Sequence, residues 1–163
     1  MRSESQPMRS VAVPVVAALA CIAAWVIGGA LTRPNLDWYA TLAKPGFTPP
    51  NLAFPIAWTI LYSLMAVSAW MVWRAPAALS DKKLALTWFG TQLAVGVLWS
   101  IAFFWMHNVA LGLGVVLALL AVVAVTIVFF DRVSRVAALL LIPYLLWVCF
   151  ATALNAAIWL LNI

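Results

Sequence analysis

The spacing of the charged residues constrains this chain more than any other feature. Twenty-three uncharged residues separate Arg9 from Arg33, and 29 separate Lys44 from Arg74. Leu84 to Phe130 is an uncharged run of 47 residues, and Val136 to Ile163 is one of 28. A helix needs about 20 apolar residues to cross a hydrocarbon core about 30 Å thick. Each shorter run therefore accommodates one crossing, and the 47-residue run accommodates two, with the turn at His107-Asn108. Strands with an open edge would leave backbone groups unpaired in lipid, and no alternating pattern of a lipid-facing barrel is present. The spacing predicts an all-α integral membrane protein: one domain, a five-transmembrane-helix bundle with spans near 11–31, 51–73, 84–105, 109–130 and 136–161.

Composition agrees. Only 8% of residues are charged and 67% are hydrophobic, whereas soluble domains carry about 25% charged residues. Too few polar side chains exist to coat a fold in water, which excludes a water-soluble enzyme and a nucleic-acid binder. The net charge of +5 is explained by topology. Arg2, Arg9, Arg74, Lys82, Lys83, Arg132 and Arg135 fall on one side of the five-span arrangement, and Arg33 and Lys44 on the other. The positive-inside rule then places the N-terminus in the cytoplasm and the C-terminus outside, in a bacterial cytoplasmic membrane. The first apolar run is longer than a signal-peptide core, so it reads as a retained span. Cys21 and Cys149 both fall within spans and read as small buried hydrophobes rather than a disulfide.

No Asp, Glu, Lys or Arg lies within a span. The ionisable groups of proton-coupled pumps, the spacing of a metal site and a Ser-His-Asp set are all missing. The chain is instead rich in tryptophan, with ten. Trp73, Trp88, Trp105 and Trp159 lie near span ends and suit an interfacial belt. Trp58, Trp99 and Trp147 lie deeper, in stripes at helical spacing. Phe54, Trp58 and Tyr62 share one face of the second span. Gln92, Gly96, Trp99, Ser100 and Phe103 share one of the third. Tyr144, Trp147, Ala151, Leu154 and Asn155 share one of the fifth. Each stripe alone could be interhelical packing. Three that mix rings with hydrogen-bonding groups point to a pocket for a large, flat, mostly apolar ligand.

The first loop, 32–50, is long for a connector and stiffened by prolines. Trp38 and Tyr39 sit in a short helical piece for which Asn35 or Asp37 is a candidate cap. Lys44, Pro45, Phe47, Pro49 and Pro50 follow. The segment suits a lid over the pocket, an interfacial anchor, or both. Arg33 and Lys44 are the cations an acidic ligand would meet on that side. Ala20, Ala24 and Gly28, with Gly90 and Ala94, form small-residue ridges that could seat helices within one copy or between two.

Trp38-Tyr39-x-x-Leu42-x-Lys44-Pro45-x-Phe47-x-Pro49-Pro50, with Phe54, Trp58 and Leu61-Tyr62 after it, resembles the translocator protein family, also called TspO/MBR or tryptophan-rich sensory proteins, in its bacterial members. Gln92-Leu93, Trp99-Ser100 and Phe103-Phe104 are similar to its third helix, and Pro143-Tyr144, Trp147, Ala151 and Leu154-Asn155 to its fifth. The resemblance implies a five-helix bundle, usually a homodimer, with a cavity capped by the first loop. It implies binding of a porphyrin or other tetrapyrrole as ligand, with no cofactor required, in sensing or transport. The pocket residues it implies are Tyr39, Trp58, Trp99, Ser100, Trp147, Ala151 and Asn155. Trp58 and Trp147 match the tryptophans implicated in light-dependent porphyrin breakdown in some members. Enzyme and ligand-free scaffold therefore stand as the alternatives to receptor or carrier. Gly96 stands where the family commonly has asparagine. Ala156 and Leu160 replace the tyrosine and arginine of the animal cholesterol motif, which argues against sterol binding by that route.

Overall fold

The computed structural model describes residues 6–163, with side chains from Ala12 onward. Arg2 lies outside the described residues, as does the side chain of Arg9. Among the described residues the chain is helical, with no strand: α1 (Gln6–Thr32), a 3-10 turn (Arg33–Asn35), α2 (Leu36–Thr41), α3 (Ala53–Arg74), α4 (Leu79–Ser100), α5 (Val109–Val133), α6 (Arg135–Leu140) and α7 (Ile142–Leu161). Five stretches are long and apolar enough to cross a membrane: Ala12–Thr41, Ala53–Arg74, Leu79–Trp105, Val109–Val133 and Arg135–Leu161. The protein is a five-helix membrane bundle.

Local chemistry sets the boundaries. The Asn108 side chain accepts from Leu111 N–H at 2.9 Å to start α5, and Ser134 accepts from Ala137 N–H at 3.4 Å to start α6. Pro143 lacks an N–H, so the helical ladder breaks at Leu141 between α6 and α7. The end of α4 departs from helical spacing. Residues Ile101–Trp105 form a π turn, with Met106 N–H donating to Ile101 O at 2.8 Å. His107 then takes φ 52°, a left-handed conformation uncommon for a side chain of this size. The widened turn holds Ala102, Phe103 and Phe104 buried in succession.

The core lies where α3, α4, α5 and the α6–α7 span meet. Met65, Val72, Ala85, Val123, Phe130, Ala137 and Leu141 are fully buried. Ser68 Oγ donates to Ala137 O at 2.6 Å, tying α3 to α6 inside that core. Ala24 is buried on α1, and a Cβ at Gly28 would stand 3.6 Å from Ser100 Oγ. Ala24 and Gly28 therefore seat α1 within the bundle, while Ala20 of the same ridge is exposed. Gly90 and Ala94 face outward. Cys21 is buried, as expected of a small hydrophobe; Cys149 is exposed on α7, contrary to expectation. In lipid an outward-facing thiol or isoleucine carries no water-exposure penalty, so apolar composition does not reveal which face is inside.

Candidate ligand pocket

Two groups of rings form from the sequence stripes. The first joins α3 to α7. Trp58 lies 5.6 Å from Tyr62 one turn along α3, and 6.3 Å and 6.4 Å from Tyr144 and Trp147 of α7, measured between ring centroids. Trp147 lies 6.0 Å from Phe54 and 5.5 Å from Phe150. Phe150 meets Phe47 of the first loop at 6.3 Å. Trp58 and Phe54 both approach Trp147 edge-on, at 79° and 76°, the arrangement that aromatic quadrupoles favour. Ala151 packs half-buried against the same core. A Cβ on Gly96 would meet only the Tyr144 hydroxyl, at 3.8 Å. The absent side chain thus leaves room in front of that phenol.

The second group joins α2, α4 and the π turn. Trp99 stacks on Phe103 at 5.5 Å, and Phe103 meets Phe104 at 4.9 Å. Tyr39 of the loop lies 6.2 Å and 5.9 Å from these two phenyl rings. Trp38 lies 5.6 Å from Phe103 and stacks on His107 at 4.4 Å. Asn155 of α7 anchors the group: its Oδ1 accepts from Trp99 Nε1 at 3.2 Å, and its Nδ2 donates to Val109 O at 2.9 Å. A buried amide left unpaired would be costly, so both ends are engaged. Asn155 therefore clamps three spans in this conformation. Ser100 is buried beside Gly28 of α1, apart from the α3–α7 rings.

The loop is fastened at both ends. Ala43 N–H donates to Asn162 Oδ1 at 3.0 Å, and Asn162 Nδ2 donates to Ala43 O at 2.9 Å, copying a backbone pair with the chain's last residues. At the other end Asn35 Oδ1 meets His107 Nε2 at 2.8 Å, while Asn35 Nδ2 donates to Leu31 O at 2.8 Å. The Asn35 side chain therefore makes no cap to α2; its partners lie on other segments. Lys44 Nζ donates to the carbonyls of Tyr39 and Leu42 at 2.7 Å and 2.9 Å and lies 4.8 Å over the Tyr39 ring. The ammonium satisfies the last carbonyls of α2, so of the two cations expected to meet an acidic ligand, Arg33 alone stays exposed. Thr48 N–H donates to Pro45 O at 3.0 Å and Ala53 N–H to Pro50 O at 2.9 Å, so the prolines shape successive turns.

Open space lies at the margin of the loop. A cleft of about 380 Å³ runs between Trp38, Leu42, the His107–Val109 turn, Trp159 and Asn162. Among Trp58, Tyr62, Tyr144 and Trp147 the rings touch one another. A flat ligand there would have to turn at least one indole out of its edge-on contact. Phe104, His107 and Asn162 join the site without having been singled out as site residues. The Phe103-Phe104 pair carried a signal, since two adjacent rings cannot share one helical face; Asn162 carried none.

A profile for the TspO/MBR family matches residues 16–160. A tryptophan-rich protein TspO of Archaeoglobus fulgidus is 43% identical over 149 residues, covering 91% of this chain and 95% of that protein. A tryptophan-rich sensory protein of Cereibacter sphaeroides is 40% identical over 144 residues, with 88% of each chain covered. The human translocator protein is 35% identical over 126 residues, with 77% of this chain and 75% of that protein covered.

Proposed function

Given that the chain belongs to the TspO/MBR family, we propose that it is a membrane-embedded receptor or carrier for a porphyrin or similarly flat, apolar ligand. The ring group between α3 and α7 carries this reading. Trp58, Tyr62, Tyr144 and Trp147 bring two indoles and two phenols within 6.4 Å centroid steps. They do so at membrane depth, where a tetrapyrrole plane would find stacking partners and two hydroxyls to orient it. Phe47, through Phe150, links these rings to the fastened loop, which acts as the lid. A ligand entering past the lid would break the Asn162–Ala43 pair. The end of the bundle bearing Arg74, Lys82, Lys83, Arg132 and Arg135 faces the cytoplasm, which sets the lid and the C-terminus outside a bacterial cytoplasmic membrane. Gly90 and Ala94, with open space above Gly90, are where a second copy would pack most closely in a homodimer.

Titrating the detergent-purified protein with protoporphyrin in the dark tests the reading through tryptophan fluorescence. Saturable quenching, weakened in Trp58→Phe and Trp147→Phe, is expected. Non-saturable quenching identical in all three proteins would mean partition into the micelle and would leave a scaffold without a small-molecule ligand. The neighbouring Trp58 and Trp147 indoles favour one second reading, light-dependent porphyrin degradation, because an excited porphyrin stacked there could oxidise them. Under illumination that reading predicts product beyond the protein-free rate, abolished by both substitutions; equal rates would dismiss it.

A further inference from the structure

At the end of the bundle opposite the lid, α3 stops at Arg74 and α5 stops at Val133. Between them lies a second cleft, of about 330 Å³, walled by Trp70, Met71, Arg74, Pro76, Val133 and Ser134. Its chemistry is two-sided. Trp70, Met71, Pro76 and Val133 are apolar, and Trp70 is 48% exposed on the outside of the bundle. Arg74 holds its guanidinium 5.9 Å from the Trp70 ring, and among the described residues no carboxylate pairs with it. Ser134 uses its hydroxyl oxygen to accept from Ala137 N–H at 3.4 Å, which leaves the hydroxyl proton to donate elsewhere. Arg132 and Arg135 bracket Val133 and Ser134 in the chain. Across this end of the bundle Arg74, Lys82, Lys83, Arg132 and Arg135 outnumber Asp81 and Asp131.

We propose that this cleft binds an anionic phospholipid. The phosphodiester sits on the Arg74 guanidinium, whose fork matches phosphate oxygens, and accepts from Ser134 Oγ–H. The glycerol and first acyl methylenes lie along Trp70, Met71 and Val133. Basic pockets between transmembrane helices hold acidic lipid headgroups on the same principle. A choline headgroup would bring a cation into a region of excess positive charge, so the cleft selects phosphatidylglycerol over phosphatidylcholine. The proposal is independent of the porphyrin reading, since the cleft shares no residue with either ring group.

Native mass spectrometry of the full, delipidated chain tests it, titrated with dioleoyl phosphatidylglycerol or dioleoyl phosphatidylcholine. The wild type is expected to bind the first phosphatidylglycerol about fivefold tighter than phosphatidylcholine, consistent with a partly exposed charge pair. In Arg74→Gln the preference should fall below about twofold. Lys83→Gln removes the same charge from the same end without touching the cleft, and should retain the preference. Arg74 is exposed, so its replacement does not threaten folding, and Arg74→Lys should bind with intermediate selectivity. Equal loss in Arg74→Gln and Lys83→Gln would mean diffuse surface charge and overturn the site. So would a wild type with no preference between the two lipids.

Discussion

One methyl group at Gly112 should loosen the end of the bundle that carries the lid. A Cβ built there would stand 2.9 Å from Phe103 Cδ2, 3.1 Å from Phe103 Cβ and 3.2 Å from Asn155 Oδ1. Phe103 has little room to retreat: it is buried, with Trp99 at 5.5 Å, Phe104 at 4.9 Å and Trp38 at 5.6 Å around it. Overpacking costs about 1–3 kcal/mol; with Phe103 hemmed in on three sides the cost falls in the upper part of that range, about 2–3 kcal/mol. The better helix propensity of alanine returns about 1 kcal/mol, leaving about 1–2 kcal/mol net. For a chain of this size each kcal/mol moves the midpoint about 2–4 °C, so Gly112→Ala should melt lower by about 2–8 °C. Far-UV circular dichroism melting in detergent reads this directly. Gly96→Ala is the control, because its Cβ would make ordinary contact with the Tyr144 hydroxyl at 3.8 Å and should cost nothing. A Gly112→Ala protein as stable as the wild type, or an equal loss in Gly96→Ala, would refute the packing argument.

Three other substitutions test separate contacts. Asn162→Ala removes the paired hydrogen bonds to Ala43 at 3.0 Å and 2.9 Å; hydrogen exchange of residues 42–48 should accelerate while the core stays protected. Trp99→Phe leaves Asn155 Oδ1 buried without its indole donor and should destabilise by about 1–3 kcal/mol, seen as a lower melting midpoint. Gln92 is fully buried; among the described residues its Oε1 has no partner and its Nε2 has only the weak acceptor Met65 Sδ at 3.7 Å. Gln92→Met should therefore melt at or above the wild type, because a well-packed apolar replacement removes an unsatisfied group.

Much of the bundle was legible because lipid imposes a simple rule: a charge-free run long enough to cross must be a helix. The rings of Phe54, Trp58 and Tyr62 recur at helical spacing and meet Tyr144 and Trp147, which recur on α7. The third span was less legible. Its stripe from Gln92 to Phe103 assumes a uniform helix, whereas the π turn at Ile101–Trp105 rotates the last residues and buries Phe104 as well. Hydrogen-bond register of that kind is decided by what packs on the turn, here Gly112, Trp38 and Tyr39. Asn35 shows the same limit. Beside α2 it has the composition of a cap, yet His107, far away in sequence, takes its Oδ1. The fastening of Ala43 by Asn162 spans 119 residues and has no local signature.

The proposed porphyrin site lies among the rings between α3 and α7, beneath the first loop. Its most direct test is the dark equilibrium dissociation constant of protoporphyrin for the wild type, Trp147→Ala and Trp159→Ala. Trp147 is within the ring group, whereas Trp159 lies outside it, on the separate cleft at the margin of the loop, and so distinguishes the two places. Loss of a stacking indole together with its edge contacts should weaken binding about tenfold in Trp147→Ala. Trp159→Ala should stay within about twofold of the wild type. Equal constants for all three proteins would contradict the pocket, because the porphyrin would then be bound without regard to the rings the fold assembles.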